Sequence, residues 1–163
     1  MKCYFLRHGI AVEPDEWAGS DFDRPLTREG RQRLEREAKA IAALDFGFDR
    51  IVTSPLLRAK QTAEILADRL GLRERLVEDT RLGGGFSHRR LGEILAAHSG
   101  AEAIVLVGHE PAMSATIGRA IGDARVEMKK AALAGIEFAA SDASAGTLVC
   151  LIPPRVLATL GKR

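Results

Sequence analysis

Short apolar runs and longer amphipathic stretches alternate along this chain. The apolar runs predict six strands, at 2–9, 48–54, 75–82, 101–111, 133–140 and 146–154. The run "AEAIVLVGHEP" at 101–111 is continuously apolar in its centre, which is typical of a strand buried on both faces. The polar "SDASAG" at 141–146 predicts a hairpin turn between the last two strands.

Four amphipathic stretches predict helices, at 26–44, 54–71, 90–100 and 111–122. Thr27 is the expected N-cap of the first, and Ser54, followed by Pro55, that of the second. Gly71 is expected to end the second helix. The glycine-rich "GGGFSHRR" at 83–90 is predicted to be a flexible loop.

Strands that alternate with helices predict an α/β fold with three layers, α/β/α. The central sheet is expected to be mostly parallel, with an antiparallel edge strand from the late strand pair. Because 163 residues without a linker-like segment fit one domain, the prediction is a single domain over 1–163.

Composition excludes several classes of protein. The net charge is only +2 and aromatic residues make up 5%, which argues against nucleic acid as a partner. No apolar run is long enough to span a membrane, and the N-terminus lacks a signal-peptide pattern, so a cytoplasmic protein is expected. Cys3 and Cys150 lie in apolar runs and are interpreted as reduced core thiols.

Cationic and imidazole side chains follow the predicted strands. Arg7 and His8 end the first strand, Ser54 ends the second, and His109 ends the fourth. Arg58 lies in the first turn of the helix after Ser54, where backbone N–H groups and the helix dipole favour an anion. Ligands of parallel sheets bind at the carboxyl ends of the strands, so these groups are expected to form one phosphate-binding cluster.

The segments "LRHG", "TSPLLRAKQTAE" and "VGHEP" resemble the signature of the histidine phosphatase superfamily, whose fold is phosphoglycerate-mutase-like. The resemblance spans nearly the whole chain. The short length, "RHGIA", "DRPLTREG" and "RAKQTAEIL" are most similar to the SixA-type phosphohistidine phosphatases.

This resemblance implies a role for each matching residue. His8 is the expected nucleophile, Arg7 and Arg58 are expected to bind phosphoryl oxygens, and His109 to stabilise their charge. Gly9, Ser54 and Glu110 are further candidates for phosphate or substrate binding. The resemblance implies no metal and no cofactor.

The pattern departs from the wider family in two places. Ile10 follows the RHG segment where many members have a polar residue, and the acidic residue expected after the third strand is not clearly present, although Glu78 and Asp79 lie nearby. A site without a strong general acid favours a phosphohistidine substrate, because imidazole is a better leaving group than an alkoxide. Glu110 or an acidic residue of the 13–23 loop is an alternative proton donor.

The sequence therefore predicts a metal-independent phosphatase that removes phosphate from phosphohistidine on a signalling or phosphorelay protein. Two alternatives remain. One is a small-molecule phosphomonoesterase or mutase of the same superfamily, acting on a small phosphorylated substrate. The other is a non-catalytic phosphate-binding module.

Overall fold

A six-stranded sheet forms the centre of the protein in a computed structural model that describes residues 1–139 and 143–162. The strands are β1 (Lys2–Arg7), β2 (Arg50–Thr53), β3 (Leu76–Glu78), β4 (Ala103–Gly108), β5 (Leu133–Phe138) and β6 (Gly146–Ile152). Their order is β3-β2-β4-β1-β5-β6. The first four are parallel, whereas β5 is antiparallel to both β1 and β6, so antiparallel pairing is confined to one side of the sheet.

Helices cover both faces of the sheet. They are α1 (Arg28–Ala43), α2 (Leu57–Leu70), α3 (His88–Ala97), α4 (Ala112–Ala120) and α5 (Pro154–Leu160). Apolar side chains of α1, α2 and α5 pack on one face, and those of α3 and α4 pack on the other. The predicted three-layer α/β/α sandwich with a mostly parallel sheet is confirmed. The prediction of one domain over 1–163 stays a prediction.

The second helix begins later than its sequence pattern suggests. Ser54 is not its N-cap, because the backbone N–H of Ser54 still donates to Val107 and continues the pairing of β2 with β4. Leu56 occupies the N-cap position, and the hydroxyl of Ser54 accepts a hydrogen bond from the Leu56 N–H at 3.3 Å. The expected cap at Thr27 is confirmed, as is the left-handed Gly71 that ends α2.

Other boundaries also differ from the prediction. The third helix begins at His88, where Ser87 caps it by accepting from the Arg90 N–H, so the predicted loop is three residues too long. Helix α5 was not predicted, because two prolines and only seven residues hide its period. The predicted hairpin turn at 141–146 lies partly outside the described residues. No helix among the described residues has the length and apolar character needed to cross a membrane.

The helices that follow β1 and β4 lie on opposite faces of the sheet, and this creates a crevice between the two strands. Helix α1 follows β1 and packs on one face, whereas α4 follows β4 and packs on the other. Helices that diverge from neighbouring strands leave an opening at the carboxyl ends of those strands. His8 and His109 directly follow β1 and β4, so both lie at this opening.

Helix α1 approaches the segment after His8 very closely. A Cβ atom built on Gly30 would overlap the backbone carbonyl oxygen of Ile10. That carbonyl also accepts a hydrogen bond from the Thr27 N–H at 3.0 Å. Gly30 therefore fixes the distance between the start of α1 and the loop that follows the RHG segment.

We predict that Gly30→Ala destabilises the protein. The added methyl group meets backbone, which cannot rotate away, so α1 must shift, at a cost of about 1–3 kcal/mol in the free energy of unfolding. Gly100→Ala is the matched control, since a Cβ there meets nothing within 4 Å. Urea unfolding of both variants tests this; equal stability of the two contradicts the close approach.

Candidate active site

The carboxyl ends of three adjacent strands bring the candidate residues together. The His8 N–H donates to Gly108 at 3.1 Å, and the Ser54 N–H donates to Val107 at 3.0 Å, so both residues extend the sheet pairing beyond the strands. The rings of His8 and His109 lie with their centroids 5.2 Å apart. The structure therefore places the two imidazole rings side by side, tilted by 49° to each other, where β1 and β4 end.

His8 is buried in a neutral state with one defined tautomer. Its Nδ1 lies 2.8 Å from the Gly9 carbonyl oxygen, which only accepts, so Nδ1 carries the hydrogen and Nε2 keeps a lone pair. Burial lowers the pKa of His8 to about 3, and the charges of His109, Arg58 and Arg7 act in the same direction. A neutral imidazole with a free Nε2 is a competent nucleophile.

Two guanidinium groups flank this imidazole. Arg7 donates from Nη1 to the Met128 carbonyl oxygen at 2.9 Å. Arg58 donates from Nη1 to the Asp21 carbonyl oxygen at 2.9 Å, and its Nη2 lies 3.2 Å from Asp21 Oδ2. In both arginines the Nε–H is buried without a partner, which leaves a donor available to an anion.

His109 is oriented by Ser54. The Ser54 Oγ accepts from the Leu56 N–H and lies 2.7 Å from His109 Nε2. Among the described residues this nitrogen is the acceptor within reach of the Ser54 hydroxyl hydrogen, so we assign the tautomer in which Nε2 accepts from Ser54. Nδ1 of His109 then carries a hydrogen, and this atom too is buried without a partner. Burial and, after it, the positive charge of Arg58 lower the pKa of His109 to about 4. The ring is therefore neutral at neutral pH, and its Nδ1–H is a donor.

Unpaired buried donors concentrate at this site. Four buried side-chain nitrogens lack a hydrogen-bond partner in the part of the chain that the structure describes, and three of them are Nε of Arg7, Nε of Arg58 and Nδ1 of His109. Buried polar groups are ordinarily paired, because an unpaired one costs about 1–3 kcal/mol. A ligand rich in oxygen acceptors, such as a phosphoryl group, would satisfy all three.

The remaining sequence candidates differ in their surroundings. Both backbone polar groups of Gly9 are occupied, since its N–H donates to Thr62 Oγ1 at 3.0 Å and its carbonyl accepts from His8. The carboxylate of Glu110 accepts from the Ser114 N–H at 3.0 Å and is thus directed at its own helix. The structure brings Ser54 into the cluster through His109.

Thr62 is a site residue that sequence reasoning missed. Its hydroxyl accepts from the Gly9 N–H and donates to the Arg58 carbonyl oxygen at 2.7 Å, which links the residue after His8 to the helix that carries Arg58. Thr62 falls within the quoted segment "RAKQTAEIL", where its spacing of four from Arg58 was the available signal.

The carboxylates considered after the third strand are engaged elsewhere. Glu78 forms an ion pair with Lys60 at 2.9 Å, and Asp79 is bound by Arg81 at 2.6 Å. Asp21, from the acidic loop, is the carboxylate that contacts Arg58. Among the described residues, no group of three or more His, Cys, Asp or Glu side chains is arranged to hold a metal ion.

We predict that protonation of His8 destabilises the protein in acid. Its pKa is about 3 when folded and about 6.5 when unfolded, so below pH 6.5 the unfolded state binds more protons and the free energy of unfolding falls with pH. Between pH 6.5 and 4.5 the wild type should lose about 2 kcal/mol more than His8→Asn, which cannot titrate. Urea unfolding across this range measures it, and parallel curves for the two proteins contradict it.

Comparison with known proteins points to one family. Residues 3–83 match the model of the histidine phosphatase superfamily (branch 1). An uncharacterized protein of Picosynechococcus is 37% identical over 156 residues, which cover 90% of this chain and 91% of that protein. The phosphohistidine phosphatase SixA of Escherichia coli is 36% identical over 72 residues, 44% of this chain and 43% of SixA.

Solved structures share the fold. The protein histidine phosphatase SixA complexed with tungstate superimposes with a TM-score of 0.85 at 24% identity, covering 96% of this chain and 99% of that one. A mycobacterial glucosyl-3-phosphoglycerate phosphatase gives a TM-score of 0.71 at 18% identity, covering 93% and 98%. The resemblance to SixA and the phosphoglycerate-mutase-like fold are thereby confirmed, and the chain belongs to the histidine phosphatase superfamily.

Proposed function

We propose that this protein is a metal-independent phosphatase that forms a phosphohistidine intermediate at His8 and removes phosphate from phosphohistidine on a signalling or phosphorelay protein. The observation that carries the proposal is the set of three unpaired buried donors around a neutral imidazole. Family membership supports hydrolase chemistry, and the likeness to SixA supports the choice of substrate.

In the first step, Nε2 of His8 attacks phosphorus. Its lone pair forms the new P–N bond while the bond from phosphorus to the leaving group breaks, and the electron pair departs with the leaving group. Arg7, Arg58 and His109 bind the phosphoryl oxygens, whose charge they stabilise through the transition state. The Nε–H groups of Arg7 and Arg58 and the Nδ1–H of His109 need no rearrangement, because none of the three has a hydrogen-bond partner among the described residues.

In the second step, water attacks the phosphorus of phospho-His8. The P–N bond breaks, the electron pair returns to Nε2, and inorganic phosphate leaves. The hydrogen bond from Nδ1 to Gly9 is present throughout, so the same tautomer is regenerated after each turnover. None of these steps requires a metal ion.

Phosphohistidine suits the acid–base groups of this site. The carboxylates of Glu78, Asp79 and Glu110 are each bound to groups outside the cluster, so none of these three is placed to protonate an alkoxide. An imidazole leaving group does not require such an acid. The substrate is therefore a phosphohistidine-bearing protein, which would place the enzyme in the cytoplasm.

A small-molecule phosphomonoesterase or mutase is the second candidate. It is favoured by a 34% identity to a probable phosphoglycerate mutase of Yersinia enterocolitica over half of this chain. A non-catalytic phosphate-binding module is disfavoured, because binding alone requires the arginines but not a nucleophilic His8 held in one tautomer.

We predict that His8→Ala abolishes hydrolysis. With phosphohistidine-bearing protein and a panel of phosphate monoesters as substrates, the variant should lose at least about 1,000-fold in kcat, since the nucleophile is removed. His98→Ala is the control, because that imidazole contacts Arg50 outside the cluster and its loss should leave kcat within about twofold. EDTA should have no effect on the wild type.

Each outcome separates the candidates. Faster wild-type turnover of the phosphohistidine protein, lost in His8→Ala, supports the proposal. Faster turnover of a monoester, also lost in that variant, supports the small-molecule phosphatase instead. Turnover that survives His8→Ala contradicts the catalytic role of His8, and activity that EDTA removes and metal restores contradicts metal independence.

A further inference from the structure

Asp21 is an acidic residue that contacts Arg58, one of the cationic side chains of the candidate site. It lies in a short 3-10 helix, Asp21–Asp23, within the acidic loop. Its carbonyl oxygen and Oδ2 accept from the two Nη atoms of Arg58, and its Oδ1 accepts from Nε of Arg24 at 2.9 Å. Its side chain nonetheless remains 61% exposed, so the carboxylate lies at the mouth of the site.

The contact with Arg58 is compatible with phosphate binding. Asp21 uses the Nη atoms, whereas the Nε–H of Arg58 is unpaired and available to a phosphoryl oxygen. A guanidinium presents five N–H donors in one plane and therefore binds two acceptors at once. One guanidinium would then bridge the carboxylate of Asp21 and a bound phosphoryl group, so the carboxylate lies within one side chain of the reacting phosphorus.

Asp21 is suited to accept rather than to donate a proton. Burial raises the pKa of Asp21, but the hydrogen bonds and charges of Arg24 and Arg58 together outweigh it and hold that pKa below its ordinary value. The carboxylate is therefore ionised at neutral pH. A fixed negative charge stabilises a nearby cation and repels an anion, so it discriminates among leaving groups by their charge.

We propose that Asp21 is a specificity-determining residue that selects substrates in which phosphorus is bound to a protonated, cationic imidazole ring, which leaves as neutral imidazole, and disfavours those whose leaving group departs as an anion. The proposal rests on the phosphohistidine phosphatase function proposed above and assigns its substrate preference to one side chain. Asp21 accepts a hydrogen bond from the ring N–H of the substrate that lies away from phosphorus.

The step balances without proton transfer from the enzyme. The substrate ring carries phosphorus on one nitrogen and hydrogen on the other, with a positive charge. As Nε2 of His8 forms its bond to phosphorus, the substrate P–N bond breaks and its electron pair stays on the substrate nitrogen. Neutral imidazole leaves with its own hydrogen. Asp21 favours the protonated ring before this step and neither gains nor loses a proton.

Asp21→Asn tests the proposal because it removes the charge but keeps an oxygen that can accept from Arg58. The probes are phosphohistidine as the free amino acid and p-nitrophenyl phosphate, whose leaving group is an anion. In the variant, kcat/KM for phosphohistidine should fall about 10- to 100-fold, and that for p-nitrophenyl phosphate should stay within about threefold or rise.

Asp23→Asn is the matched control. Asp23 lies in the same short helix and is equally charged, but its carboxylate accepts from Ser20 Oγ. It should leave the ratio of the two kcat/KM values unchanged. A fall of equal size on both substrates in Asp21→Asn, or the same loss of ratio in Asp23→Asn, overturns the proposal.

A pH profile separates specificity from a structural role. The charged groups that face Asp21 are Arg24 and Arg58, and the titratable ring of His109 lies farther away. The variant retains all three. Without the carboxylate the enzyme-bound substrate ring loses its proton at lower pH, so the alkaline limb of kcat for phosphohistidine, which reports ionisations in the enzyme–substrate complex, should shift to lower pH in Asp21→Asn and return in Asp21→Glu. An unshifted limb overturns the proposal.

The wild-type measurements distinguish failure of the proposed function from failure of this inference. If the wild type hydrolyses p-nitrophenyl phosphate but neither free phosphohistidine nor the phosphohistidine-bearing protein, the proposed function fails and the assignment to Asp21 falls with it. If the wild type prefers phosphohistidine but Asp21→Asn keeps that preference, the function stands and only the assignment to Asp21 is wrong.

Discussion

A neutral imidazole buried among cationic side chains is the feature on which the rest of this site depends. Burial and the charges of His109, Arg58 and Arg7 all oppose protonation of His8, so its Nε2 lone pair is available at neutral pH. The same arrangement is costly without an anion, because three buried donors lack partners. A phosphoryl group would satisfy those donors and offset their charge, so the features that favour a reactive His8 would also favour the proposed substrate.

The fold supplies the rigidity that such an arrangement requires. His8 and Ser54 extend the hydrogen bonds of the sheet beyond β1 and β2. Thr62 joins Gly9 to the carbonyl of Arg58, and Gly30 lets α1 contact the loop after the nucleophile. The catalytic side chains are thus positioned by backbone that is itself paired or packed, which limits the reorganisation needed during phosphoryl transfer.

The amino-acid sequence was most informative where reactive or charged side chains directly follow a predicted strand. The apolar run of β4 and the residues that follow β1 and β4 were sufficient to predict the layers of the fold and the meeting of His8 with His109. The predicted start of α2 was wrong. Serine is a common N-cap residue, but the hydrogen bond from the Ser54 N–H to Val107 keeps Ser54 in the extended backbone of the sheet. The contacts of Thr62 and Asp21 depend on packing between elements distant in sequence, and no local pattern encodes the partner of a side chain.

The central claim is that phosphate passes through His8, and trapping the phosphoenzyme tests it most directly. The wild type is mixed with a phosphohistidine-bearing protein and quenched in alkali at short times, and the modified peptide is identified by mass spectrometry. We expect phosphate on the peptide that contains His8, lost on brief acid treatment and absent from His8→Ala. Phosphate on another residue, or release of phosphate by His8→Ala at the wild-type rate, would contradict the account.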